Sequence, residues 1–167
     1  MATSTVTRQT AYDAVIKKPV PRITTDDYQL DEYNKFEKKI IVAAMTVPTT
    51  LHGGEHSHAY LVLTPEEQIR LAGTVQAKVT NPGEDAGIAA GDTHAIVSSK
   101  NNRLAAEKNT YHTQEGVEAA LRDLIVDNFP EASIMELKDD TFGYANVAPM
   151  TSSSISRPTP RPSMSIS

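Results

Sequence analysis

Apolar positions along this chain recur mostly at three- and four-residue intervals, the spacing of one helix face and not the alternation of a half-buried strand. Tyr33, Phe36, Ile40, Ala44 and Val47 form the first such stripe. Asp26 and Asp27 stand just before it, where carboxylates can accept from the first free N–H groups of a helix, so the pattern predicts a helix over residues 28 to 47. Pro48 stops it. A Gly- and His-containing loop then leads to Ala59-Tyr60-Leu61-Val62-Leu63, an apolar run that reads as a short strand or a buried extended segment. Thr64 follows as N-cap, with Pro65 at the first helical position and Glu67 able to close a capping box, which predicts a helix from Pro65 to about Ala72 with Gly73 ending it.

The next stretch is a long connection to Gly91, with a turn at Asn81-Pro82-Gly83, and part of it is expected to be mobile. Asp92 or Thr93 can cap a polar helix carrying Ile96, Val97, Leu104 and Ala105. Thr113 then offers a new cap, and Val117, Leu121, Leu124, Ile125 and Asn128 share one stripe with Ala120 beside it, predicting a separate helix over residues 114 to 128. Phe129-Pro130 breaks it, Ile134 and Leu137 suggest two more turns, and Asp139 to Gly143 reads as a turn.

The ends of the chain differ in character. Tyr12 to Ile16 is a short apolar patch closed by Pro19 and Pro21, so residues 1 to 25 are expected to form a flexible arm. From Thr151 onward, seven serines and three prolines in 17 residues leave too little apolar surface to offset the entropy of ordering, which predicts a disordered tail over residues 148 to 167. Arg157 and Arg161 among its prolines fit a polyproline-type ligand, but a plain flexible end is the preferred explanation. The expected fold is therefore mainly α: a small helical domain over residues 26 to 147 with one short extended segment. The helices at 28 to 47 and 114 to 128 carry more apolar stripe than a small core covers, which points to an interaction surface.

Composition narrows the function. The 167 residues are 39% hydrophobic but only 5% aromatic with no Trp, so the core rests on aliphatic side chains and suits one modest helical domain. A net charge of −5 argues against a dedicated nucleic-acid binder, and no segment reaches the roughly 20 apolar residues of a membrane span. With no cysteine there is no disulfide or thiolate site, which fits a reducing compartment and a cytoplasmic location. Lys35, Lys38 and Lys39 are interrupted by Glu37 and read as a solvated helix face.

One segment carries candidate chemistry. His52, His56 and His58 lie within seven residues, and neutral imidazole is a good ligand for zinc, copper or nickel. On an extended segment His56 and His58 share a face, whereas His52 must return across Gly53-Gly54. A glycine turn with hydrogen-bonded histidines is the preferred explanation, with a small metal-binding protein or metalloenzyme as the alternative. Gly53-Gly54 lacks the rest of a phosphate loop, and Ser98, Ser99 and Ser133 sit in no nucleophile elbow. The acid pairs Glu66-Glu67, Asp26-Asp27 and Asp139-Asp140 are explained by helix starts and a turn, where each carboxylate contributes about 0.5–1 kcal/mol. No catalytic residue and no cofactor is expected, and the chain is read as a non-enzyme.

The run from Leu51 to Glu67, followed by Asn81-Pro82-Gly83, resembles the N-terminal Gag-type region of copia-type retroelement polyproteins. Tyr111, residues 117 to 121, Ile125, Leu137 and residues 140 to 147 resemble the same region in the same order, so the likeness spans residues 19 to 147. It implies a helical, capsid-like assembly segment whose partner is another copy of itself or another protein, with RNA packaging handled elsewhere in the polyprotein and no active-site residue carried over. After Val147 the chain departs from that pattern, because Pro149 and the Ser/Pro tail replace the next amphipathic helix, and a truncated form of the region is the expectation.

Overall fold

A computed structural model describes residues 2 to 25 and 27 to 130, with side chains from Thr7 onward. The chain is mainly helical: α1 is Ala2–Ile16, α2 is Leu30–Ala44, α3 is Pro65–Ala72 and α4 is His94–Asn128, with 3-10 turns at Leu51–Gly54 and Ala59–Leu61. No helix among the described residues is long and apolar enough to cross a membrane. The expected turns at 134 to 143 and the Ser/Pro tail lie outside the described residues.

The stripe read in α2 is the buried one: Tyr33, Phe36, Ile40 and Ala44 face the core, joined by Ala43. Its start is shifted, however. Gln29 occupies the N-cap position and its N–H donates to Glu32 Oε2 at 3.4 Å, so Asp27 stands before the helix and Asp26 lies outside the described residues. α3 follows its local code. Thr64 Oγ1 accepts from the Glu67 N–H at 3.3 Å, Pro65 opens the helix, and Gly73 closes it in the left-handed region at φ +78°, which glycine adopts without steric cost.

Three expectations change. First, residues 7 to 25 are not a loose arm, because α1 lies along α4 with Val15 fully buried and Ala11 nearly so. Thr7 Oγ1 meets Asn109 Oδ1 at 3.4 Å and Tyr12 Oη donates to Asp123 Oδ2 at 2.5 Å, so the two helices run in the same direction. That hydrogen bond, with burial adding to it, pushes the Tyr12 hydroxyl up to about 12 and keeps it protonated. The Ile23 N–H then donates to Asn128 O at 2.8 Å, tying the Pro-rich link to the end of α4.

Second, Ala59–Leu61 is a 3-10 turn and not an extended segment. Leu61 N–H donates to His58 O, and Val62 and Leu63 N–H groups both reach Ala59 O. A strand needs a neighbour to take its backbone groups; among the described residues no strand exists, so the run satisfies them locally and buries all five side chains.

Third, α4 is one helix of 35 residues, roughly 50 Å long, where the sequence suggested two. Thr93 is its cap, accepting from the Ile96 N–H at 3.3 Å. Thr113 lies inside the helix and donates to Asn109 O at 2.7 Å, four residues back, so a residue that resembles a cap serves as a mid-helix hydroxyl. Only Gln114 to Ile125 of α4 supply buried side chains. Its first half projects past the core and is flanked by the 74–93 connection. Lys100 Nζ binds Asp92 at 2.6 Å and Gly87 O at 2.8 Å, Lys108 pairs with Glu84, and Lys78 pairs with Glu118 at 3.0 Å.

The core closes around Phe129, which leaves α4 in extended geometry ahead of Pro130. Its ring meets Tyr28 at 5.0 Å and Phe36 at 5.2 Å, both edge-on, the arrangement that aromatic quadrupoles favour.

Candidate functional site

The three histidines go three ways. His52 sits in the left-handed region at φ +54°, where the chain folds back through Gly53, and its Nε2 meets Ala77 O at 3.0 Å. Gly54 completes the fold-back, because a Cβ there would lie 2.7 Å from Thr49 O. His56 is half-buried and lines a groove between α2 and α3. His58 is fully buried, and its Nδ1–H donates to Val47 O at 2.7 Å. What His52 and His58 share is Tyr60: their rings lie 5.1 and 6.0 Å from the Tyr60 ring. Among the described residues, no three His, Cys, Asp or Glu side chains gather as a metal-holding group. Two of the proposed ligands are committed to backbone carbonyls, so the segment wraps the Tyr60 ring.

Since a carbonyl only accepts, His58 carries its proton on Nδ1, which leaves Nε2 bare and without a partner inside the core. Burial pushes the His58 imidazole below its ordinary value of 6.5, the Val47 carbonyl opposing this only in part. A second proton would place an unpaired charge in the interior. The folded pKa is depressed, so the stability is fully present above 6.5 and falls as the pH drops from there toward the folded-state value, because the unfolded chain protonates first. Chemical unfolding from pH 7.5 down to 5 is expected to show this loss, with a limiting slope of about 1.4 kcal/mol per pH unit from this group. In His58→Gln the slope from this group should vanish; an unchanged profile sinks the assignment.

Tyr60 also anchors a buried polar network. Its hydroxyl donates to Gln114 Oε1 at 2.6 Å, and that carboxamide pairs with Val79 as a peptide group would, accepting from N–H at 3.1 Å and donating to C=O at 3.0 Å. Gln68 does the same work from α3: its Nε2 donates to Tyr60 O and Leu63 O, and its Oε1 accepts from the Gln76 N–H at 2.7 Å. Nothing in the one-dimensional pattern marks these two glutamines as buried, because each lies in a stretch that also reads as a polar helix face.

Two grooves among the described residues bear on function. One of about 410 Å³ lies between residues 79 to 82 and α4, and its charges, Arg103 and Glu107, already face each other at 3.9 Å. The other, of about 580 Å³, lies between α2 and α3 over the apolar side chains of Ile41, Met45, Ala59, Leu63 and Leu71. Leu71 is 51% exposed and Met45 41%, and Val42, one turn from Lys38 on the same stripe of α2, is 55% exposed. The apolar excess that the sequence suggested is thus concentrated on the second face of α2; the 114–128 stripe is covered by α1 and α2. Leu71 was visible only as one more apolar residue of a short helix.

No family model, no curated protein and no solved structure matches this chain.

Proposed function

We propose that this chain is a helical assembly module, Gag-like in role, which acts by associating with further copies of itself and carries no catalytic centre. The observation that carries the proposal is the exposed apolar surface of α2 and α3 around the 580 Å³ groove. Apolar side chains left in water at the mouth of a groove gain free energy by being covered, on the order of 25 cal/mol per Å² removed from solvent. The resemblance of residues 19 to 147 to the Gag-type region supports the same role. Non-catalytic action is supported by the engagements of the candidate groups: His52 and His58 hold backbone carbonyls.

Sedimentation of the full chain across a hundredfold concentration range tests the proposal. The weight-average mass is expected to rise from the monomer value toward that of a closed oligomer, with an association that survives moderate salt because its centre is apolar. A mass that stays at the monomer value over the whole range overturns it.

A further inference from the structure

The chemistry around the α2–α3 groove identifies what covers it. Five charged side chains line it, Glu37 and Lys38 from α2 and Glu66, Glu67 and Arg70 from α3. Some lysines and arginines elsewhere meet acids: Lys78 and Arg122 approach Glu118, Lys100 meets Asp92 and Lys108 meets Glu84. None of the five at the groove has an ion-pair partner among the described residues, although Glu66 and Arg70 are four residues apart on one helix. The patch therefore holds unspent charge of both signs around an apolar floor.

That combination selects among occupants. A nucleic acid or an anionic lipid surface would be repelled by three carboxylates set against two cations. A strongly basic partner would meet Lys38 and Arg70. A surface that carries both signs in a defined order is complementary to itself under a two-fold axis, because residue i then faces residue j of the other copy and j faces i. In α3 the order is acid first and base last, with Glu67 and Arg70 three residues apart and so on one face. An antiparallel approach of two such helices sets each Glu67 beside the other copy's Arg70, twice.

Building on the self-association reading, we propose that two copies pair through α3 in antiparallel fashion about a two-fold axis, with reciprocal Glu67–Arg70 ion pairs flanking a centre formed by Leu71, Met45 and Val42. Closing this face removes Val42, Leu71 and Met45 from water, each more than 40% exposed, and gives Glu67 and Arg70 partners. The apolar centre supplies affinity and the ordered charges supply register, the usual division of labour at an interface.

Charge reversal across the pair tests this. Glu67→Arg alone brings like charges together at both reciprocal positions, as does Arg70→Glu alone, so each variant is expected to self-associate at least about tenfold more weakly than the native chain. An equimolar mixture of the two restores opposite charges at both positions, so association is expected to return to near the native level, as a mixed species identified by mass with one variant isotope-labelled. Melting curves of the single variants, unchanged to within a few degrees, separate this effect from unfolding. If the native chain associates but the single variants do so equally well, or if the mixture shows no rescue, the α3 pairing is overturned while self-association stands. If the native chain is monomeric throughout, self-association itself fails.

Discussion

Replacing Gly116 by alanine is expected to destabilise the fold by about 2 kcal/mol or more, even though alanine is the better helix former by about 1 kcal/mol. Gly116 lies inside α4, and a Cβ built there stands 2.2 Å from Arg8 O and 2.9 Å from Ala11 Cβ. The first of these is backbone of α1, which cannot rotate away as a side chain would. To accept one methyl group the two helices must separate, and the contacts of Ala11 and Val15 with α4 go with them. Urea unfolding of Gly116→Ala against Gly91→Ala gives the measurement, because a Cβ at Gly91 meets nothing within 4 Å. The expected result is a lower midpoint for the first only, with faster amide exchange in α1 ahead of the rest of the protein. An unchanged or higher midpoint for Gly116→Ala would show that α1 does not sit against α4 as described.

The second large effect belongs to Gln114. It is 3% exposed, and its carboxamide holds the Tyr60 hydroxyl and both backbone groups of Val79. Leucine fills the same space without any of these bonds and leaves the buried Tyr60 hydroxyl orphaned. With about 1 kcal/mol for each of the three lost hydrogen bonds and about 1–3 kcal/mol for a stranded buried group, Gln114→Leu is expected to cost about 4 kcal/mol or more. Two further readouts separate the causes. The Val79 amide should exchange far faster, since its acceptor is gone, while core amides of α4 respond only to the global change. Adding Tyr60→Phe should recover part of the loss by removing the stranded hydroxyl, a non-additivity of about 1 kcal/mol or more. Strict additivity of the two substitutions would mean that Tyr60 and Gln114 are not coupled.

Both predictions concern residues whose neighbours lie about a hundred or fifty positions away, and that explains how much was legible. Thr64, Pro65 and Gly73 announce α3 because capping involves groups within three or four residues of one another. Tyr33, Phe36 and Ile40 announce the buried face of α2 because helical geometry alone brings them together. Thr113 misled because the same hydroxyl serves at a helix start or inside a helix, and the choice depends on whether residues 94 to 112 are already helical. His52, His56 and His58 suggested a ligand set by proximity in sequence, yet the reversal at His52 and Gly53 and the burial of His58 aim their rings in different directions.

Taken alone, the amino-acid sequence determined a mainly helical chain, the faces of α2 and the latter part of α4 that turn inward, the limits of α3, and an apolar excess beyond what a small core needs. These follow from local spacing and capping, which act within a turn or two. Only the tertiary structure decided that α1 docks on α4 through the space Gly116 leaves, that residues 59 to 63 coil instead of extending, that two buried glutamines pin residues 76 and 79, and that part of the exposed apolar surface lies at a groove between α2 and α3 beside charges of both signs. Each of those depends on atoms far apart in the chain meeting at van der Waals or hydrogen-bond distance, and no local pattern encodes which distant partner arrives.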